Sequence, residues 1–126
     1  NPILIKKGRS STRELLSKIK NGYSIALLVD QRVSEGKKVE FFNCPALTTT
    51  IPAQISLRFN CKIVPIYIER LSDINFEITI HKPLEYKKSG NYDKDSYDLT
   101  LEINKKIEKM ILKNPKQWLW THNRWK

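Results

Sequence analysis

Two short apolar runs constrain the fold of this chain more than any other feature of its sequence. They occupy residues 25–29 and 63–68. Each has the length of one β-strand and falls far short of the ~20 residues that a membrane-spanning helix requires. Because a strand that is apolar along its whole length suits burial on both faces, both runs are typical of a parallel sheet covered by helices.

The segment between the two runs supports the same fold. Three threonines at positions 48–50 precede Pro52, which is typical of a helix start, and Asn60 is a suitable residue to end that helix. A strand over residues 62–69 follows. Strand, helix and strand in this order indicate a right-handed βαβ unit. We therefore expect an α/β fold with a mostly parallel sheet flanked by helices.

Capping residues, apolar spacing and turn residues predict the other elements. The last two strands are expected to pair across a turn at residues 71–74, and residues 83–95 are expected to form a loop. In chain order, the first predicted helix begins with a capping box at Ser11–Glu14 and ends at Asn21-Gly22, and a strand over 23–29 follows it. The next predicted elements are a helix that begins at 48–50 and ends at 60, and strands over 62–69 and 75–80. The last is a helix from about Ser96 to Lys113, which Asn114-Pro115 ends.

The length of 126 residues fits a single domain with a substantial core. Asn1 is not an initiator residue and no signal peptide follows it, so we expect the chain to begin within a longer protein. Cys44 and Cys61 stand without a CxxC motif or further cysteines. That pattern is neither a zinc site nor a disulfide framework, and it predicts reduced thiols facing the cytosol.

The charge balance predicts an anionic partner. The chain has 23 basic and 13 acidic residues, for a net charge of +10. The candidate partners are nucleic acid, an anionic lipid surface and an acidic protein, and the alternative is that the charge only reflects a lysine-rich proteome. We expect no nucleic acid, because the lysines are scattered and no RNP pattern is present. No Walker loop, GxGxxG or metal-ligand cluster occurs, so no cofactor or metal is expected.

Two positions offer candidate chemistry from their place in the predicted fold. Asp30 ends the predicted strand over residues 23–29, and open α/β sheets bind ligands at the carboxyl ends of their strands. The residue is therefore either a functional carboxylate or an Asp that caps a loop or pairs with Arg32. The helix start at residues 48–50 has free N–H groups for an anion or oxyanion, or its threonines serve only as ordinary caps.

The C-terminal tail, residues 118–126, is rich in tryptophan and basic side chains. Such a tail can form an interfacial belt on an anionic membrane, or it can stack on nucleic acid bases. A third reading is that the tryptophans pack back onto the sheet, and we expect this of Trp118 and Trp120. His81 is expected to be a surface residue at the end of a strand.

Four blocks extend over nearly the whole chain, at residues 13–31, 41–48, 63–70 and 115–126. The last block is the most specific, because a Pro-x-x-Trp-x-Trp-x-His-x-Arg-Trp-Lys run rarely arises by chance. Taken in order, the blocks resemble one family, the late (lauroyl/myristoyl) acyltransferases of lipid A biosynthesis.

This resemblance implies a partial glycerolipid-acyltransferase-like fold at the cytoplasmic face of the bacterial inner membrane. It also implies transfer of a fatty acyl group from acyl carrier protein to a hydroxyl of a lipid A precursor. The family's base belongs to a His-x4-Asp/Glu motif. Tyr86 stands five positions after His81, and the chain has no residue that far beyond His122. We therefore expect residues 1–126 to be a C-terminal part without the catalytic base or the membrane anchor.

The resemblance also suggests which residues serve the substrate. Asp30 falls on the family's strand-end aspartate and is expected to have a structural or orienting role. The expected substrate-binding residues are Gln31, Thr48, Thr49, Arg70, His122 and Arg124, of which the two arginines would hold phosphate or the acidic surface of the carrier. The alternative function is a non-catalytic basic module that binds a membrane surface or a protein.

Overall fold

The computed structural model describes residues 3–5 and 11–126, except for the side chains of Ser11 and Thr12. The predicted capping box of Ser11 therefore lies outside the described residues. The elements are α1 (Ser11–Lys20), β1 (Lys37–Phe41), β2 (Cys44–Thr48), α2 (Ile51–Phe59), β3 (Ile66–Ser72), β4 (Asn75–Ile80), α3 (Tyr92–Lys113) and a 3₁₀ turn at Pro115–Gln117.

The prediction of an α/β fold with a mostly parallel sheet, of partial glycerolipid-acyltransferase type, is wrong for the described residues. Their strands form two antiparallel hairpins, β1–β2 and β3–β4. Residues 23–29 form no strand, and Leu28 is 90% exposed. An apolar run reports a tendency to be buried, but a ladder also requires a neighbouring strand. Among the described residues each strand pairs with its sequence neighbour, because a tight turn costs less loop-closure entropy than a crossover.

The β1–β2 hairpin closes through two residues with positive φ. Phe41 pairs with Cys44, and Phe42 and Asn43 between them have φ of 52° and 59°. Positive φ at both central positions defines a type I′ turn, whose twist suits a hairpin. Asn tolerates this conformation well, whereas Phe does so at a cost. The Phe42 N–H donates to Glu108 Oε1 of α3 at 2.7 Å, which helps to hold the strained turn.

The β3–β4 hairpin confirms the predicted pairing of the last two strands and the bounds of β4. Its first strand begins at Ile66, four residues later than predicted. Glu69 lies on the face towards α3, where it accepts hydrogen bonds from Lys113 at 2.8 Å and Asn114 at 3.1 Å. The opposite face is apolar and exposed, and we call it the open hairpin face; it consists of Ile66, Ile68, Phe76, Ile78 and Ile80.

Local signals placed the helix ends well, with one exception. The end of α1 before Gly22 (φ +81°), the end of α2 at left-handed Asn60 (φ 54°) and the end of α3 at Asn114 are confirmed. The start of α3 was predicted four residues too late. The Asn91 side chain accepts from the Lys94 N–H at 3.1 Å, so this N-cap starts the helix inside the stretch expected to be loop.

The core lies where α3 packs against β1 and α2. Apolar α3 residues at helical spacing meet the inward side chains of both hairpin strands. Aromatic residues of the C-terminal tail close the same core from the other end, with Trp118 packed against the cluster of Phe41, Ala46 and Ile111. The buried apolar residues are Val39, Phe41, Ala46, Ala53, Leu99, Ile103 and Ile111.

Asp95 ties the loop before α3 to the first turn of that helix. Its carboxylate accepts from the Ser89 hydroxyl at 2.6 Å, the Ser89 N–H at 2.9 Å, the Gly90 N–H at 3.3 Å and the Tyr86 hydroxyl at 2.9 Å. The hydrogen bonds from Ser89 are the main cause that lowers the pKa of Asp95 to about 2. Burial, with the Asp95 carboxylate as a second cause, raises the pKa of Tyr86 to about 12.

We expect the variant Asp95→Asn to be less stable than wild type at neutral pH, by a difference that shrinks in acid. The folded pKa lies below the ordinary value of 3.8, so the carboxylate stabilises the fold above that pH and loses this effect as the pH falls towards 2. Urea unfolding between pH 7 and pH 2 measures the difference, and the Tyr86 pKa should also fall. Asp98→Asn, which removes an exposed pair with Lys94, is the control. A difference that stays constant with pH would contradict the assignment.

Candidate functional site

The C-terminal tail folds back onto β2 through Arg124. This side chain is 0% exposed. Its two terminal nitrogens donate to the Leu47 carbonyl and the Thr48 hydroxyl, each at 2.7 Å. Its guanidinium also lies 5.0 Å from the centre of the Phe41 ring. Burial lowers the pKa of Arg124, and the nearby charge of Asp30 acts in the opposite direction.

Thr48 is the meeting point of this buried polar cluster. Its hydroxyl donates to the Ala46 carbonyl at 3.0 Å and accepts from Arg124. The Asn104 amide of α3, itself fully buried, lies 3.4 Å from the same hydroxyl and donates to the Glu40 carbonyl at 2.8 Å. The tail, the first hairpin and α3 therefore converge on one side chain.

The tail also holds the segment that contains Asp30. The Trp118 indole N–H donates to Asp30 Oδ2 at 3.3 Å, across 88 positions of sequence. His122 Nε2 accepts from the Arg32 backbone N–H at 3.0 Å. The Arg32 guanidinium donates to Ser34 Oγ at 3.2 Å, so its hydrogen bond goes to that hydroxyl and not to the carboxylate of Asp30.

Four of the predicted site residues are thus gathered in one region, namely Asp30, Thr48, His122 and Arg124. The other three lie around or away from it. Gln31 is exposed, and the Thr49 hydroxyl accepts from the Ile51 N–H at 3.3 Å at the start of α2. Arg70 is exposed on β3, where its guanidinium lies 5.1 Å from the Phe76 ring centre. Substrate contact remains a prediction for six of these residues, and for Asp30 the structural or orienting role remains a prediction.

The indole N–H group of each tail tryptophan donates a hydrogen bond within the chain. Trp118 donates to Asp30, Trp120 donates to the Pro115 carbonyl at 2.7 Å, and Trp125 donates to the Phe41 carbonyl at 2.9 Å. Trp118 packs on the Phe41 ring with centroids 5.8 Å apart, as expected. Trp120 packs edge-on against Trp118 but stays 51% exposed.

Neither histidine hydrogen-bonds to a carboxylate in the part of the chain that the structure describes. His81 lies at the end of β4, half-buried, with its Nδ1 3.3 Å from the ammonium of Lys106. Burial is the main cause that lowers the pKa of His81, and the charges of Lys106 and Lys113 add to it. A general base for a hydroxyl requires a partner that stabilises its protonated form, and Lys106 does the opposite.

Asn104, Phe41 and Trp125 belong to this region but were not predicted from the sequence as site residues. A signal for Asn104 was present, because it stands on the same helical stripe as the apolar residues Ile107 and Ile111. A polar residue on an apolar stripe needs a buried hydrogen-bond partner. Trp125 stands in the terminal motif, but nothing in the sequence indicated its bond to the Phe41 carbonyl, which joins residues 84 positions apart.

Two absences among residues 3–5 and 11–126 bear on membrane and metal chemistry. No helix among them has the length and apolarity needed to cross a bilayer. Within the same residues, no group of three or more His, Cys, Asp or Glu side chains is placed to hold a metal ion.

Together these features define a small α+β protein with a buried polar cluster at Thr48, to which the C-terminal tail contributes Arg124. The family model described as bacterial lipid A biosynthesis acyltransferase matches residues 3–126. The chain belongs to this family, so acyl transfer in lipid A biosynthesis is its type of function. A search of curated proteins returned no match.

Proposed function

We propose that this chain is part of an enzyme that moves a fatty acyl group from acyl carrier protein to a hydroxyl of a lipid A precursor. The proposal places the enzyme at the cytoplasmic face of the bacterial inner membrane. Within that enzyme the chain contributes binding and positioning groups, and a base outside residues 1–126 accepts the proton. The family match over residues 3–126 is the observation that carries the proposal.

The state of the two histidines supports a base outside these residues. His122 uses Nε2 to accept from the Arg32 N–H, and His81 faces the ammonium of Lys106. In the proposed reaction the acceptor hydroxyl attacks the thioester carbonyl, an ester forms, and the carrier leaves as a thiol. The proton moves from the hydroxyl to the base and then to the leaving sulfur. Backbone N–H groups stabilise the oxyanion.

Charge supports the proposed partners. The net charge of +10 suits acyl carrier protein, which is acidic, a phosphorylated lipid A precursor and the anionic inner leaflet. Because Arg124 is buried and its terminal nitrogens bind the chain itself, direct contact with these partners falls to exposed groups such as Gln31 and Arg70.

An acyl-transfer assay tests the proposal. The protein as its gene encodes it, supplied with labelled acyl carrier protein and a lipid A precursor, should form an acylated lipid product. Residues 1–126 alone should form none, and acyl carrier protein without a lipid acceptor is the blank. Turnover by residues 1–126 alone would disprove the external base, and no product from the encoded protein would disprove the proposed reaction.

A second candidate function is a non-catalytic module that binds an anionic membrane surface. It is favoured by the open hairpin face, where several isoleucines are more than half exposed on a chain of net charge +10. Flotation with phosphatidylglycerol vesicles should then carry the chain upward, and added salt should release it. Binding to phosphatidylcholine vesicles to the same extent would exclude the electrostatic mechanism.

A further inference from the structure

The geometry points to His122 as a positioning residue, which holds the segment of residues 30–33 by accepting a backbone hydrogen bond and does not transfer protons. This inference rests on the proposed acyl-transfer function, because it concerns how that enzyme presents its substrate-facing residue. Its structural part can nevertheless be tested without any activity.

The hydrogen bond of His122 fixes the chemical form of its ring. Nε2 accepts from the Arg32 N–H at 3.0 Å, so its lone pair is occupied and the proton of the neutral ring lies on Nδ1. A backbone amide cannot accept a proton from the ring or give one up. The nitrogen that faces the 30–33 segment is therefore engaged in holding that segment.

Contacts on both sides of Arg32 act on the same short segment. Before it, Asp30 accepts from the Trp118 indole at 3.3 Å. After it, the Val33 N–H donates to the Leu47 carbonyl at 3.2 Å, and that carbonyl also accepts from Arg124. Three tail residues, Trp118, His122 and Arg124, thus fix the segment directly or through β2.

This arrangement holds the backbone on both sides of Gln31 and leaves its side chain exposed to a substrate. Gln31 lies between Asp30 and Arg32, both of which are held by the tail, and its own side chain is exposed. An exposed side chain on a fixed backbone loses less entropy when it binds a substrate group than one on a free loop. The His122 hydrogen bond therefore contributes to catalysis by restricting the backbone at Gln31.

Nuclear magnetic resonance of the chain tests the structural part. His81 and His122 are its only histidines, so the ring patterns are assigned by comparing wild type with His122→Gln. We expect His122 to show a protonated Nδ1 and an unprotonated Nε2. The Arg32 amide should exchange slowly with solvent in wild type and in His122→Gln, whose side-chain oxygen can accept the same bond, and rapidly in His122→Phe.

Kinetics of the protein as its gene encodes it test the catalytic part. His122→Phe should lower kcat roughly a hundredfold, as a misplacement of about 1 Å does. His122→Gln should stay within about tenfold of wild type, because it restores the acceptor without an ionisable ring. His81→Gln is the control and should retain wild-type kcat.

The outcomes separate two kinds of failure. If His122→Gln is as inactive as His122→Phe while the Arg32 amide stays protected, the imidazole itself takes part in the reaction and the inference is overturned. An Nε2 that carries a proton, or an Arg32 amide that exchanges equally fast in all three proteins, also overturns it. If wild type forms no product while the resonance results hold, the proposed function fails and the positioning contact stands.

Discussion

Replacing Arg124 with alanine is expected to lower the free energy of unfolding by roughly 2–4 kcal/mol. Two hydrogen bonds from a charged donor, to the Leu47 carbonyl and the Thr48 hydroxyl, are lost at a site that is 0% exposed. The packing of the guanidinium on the Phe41 ring is lost with them.

An opposing effect limits this value. A buried charge costs desolvation energy, and its removal returns that energy. Each hydrogen bond to a charged group contributes roughly 1.5–3 kcal/mol, and the variant leaves the part-buried Leu47 carbonyl with the Val33 N–H but without the Arg124 donor. The stabilisation lost with the hydrogen bonds therefore exceeds the desolvation energy that is recovered. The free energy of unfolding of Arg124→Lys should lie between those of wild type and Arg124→Ala. An ammonium keeps the charge, but it cannot bind both acceptors as the planar guanidinium does.

Urea unfolding followed by tryptophan fluorescence measures the effect, because Trp118 and Trp125 both pack on Phe41. Arg70→Ala is the matched control. Arg70 also lies over a phenylalanine, at 5.1 Å, but it is exposed, so its loss should cost less than about 1 kcal/mol. Equal unfolding midpoints for the two alanine variants would show that Arg124 does not anchor the tail.

The variant Gly36→Ala is expected to lower the free energy of unfolding by roughly 1–3 kcal/mol, because the added methyl group has no space. A Cβ at this position would lie 2.6 Å from the Thr48 carbonyl oxygen and 2.8 Å from its carbonyl carbon and its nitrogen. Those atoms are backbone, and the neighbouring Thr48 side chain is bound by Arg124 and Asn104. Strand β2 cannot retreat without weakening the polar cluster.

Gly22→Ala is the control that separates lack of space from backbone strain. Gly22 has φ of +81° and no atom within 4 Å of an added Cβ, so alanine there should cost only about 1 kcal/mol of conformational strain. The double variant Gly36→Ala/Arg124→Ala should lose less stability than the sum of the two, because both changes act through Thr48. Strict additivity, measured by urea unfolding, would contradict a shared cause.

How far the sequence predicted the fold depended on the range of the interactions involved. The end of α2 at Asn60 and the β3–β4 hairpin were predicted correctly, because each is decided by residues close in sequence. The predicted strand over residues 23–29 was wrong, since an apolar run does not specify which strand will pair with it. The β1–β2 hairpin was missed because its turn uses Phe42, a residue that rarely adopts positive φ.

In the candidate site, too, local sequence marked some residues, but it did not indicate their distant partners. The terminal motif marked His122 and Arg124 from sequence, and the family that the motif indicated is the family to which the chain belongs. No sequence signal showed that Trp118 would reach Asp30 or that Asn104 would reach Thr48, because these contacts join residues 88 and 56 positions apart.

Residue types and local spacing were enough to determine the family, the positions of the helices and the strongly basic charge of this protein. Tertiary structure alone decided the antiparallel pairing, the burial of Arg124 and the meeting of the tail with residues 30–33. The physical reason is that helix caps and tight turns are stabilised within a few residues, whereas strand partners and buried polar contacts depend on which distant segments the whole fold brings together.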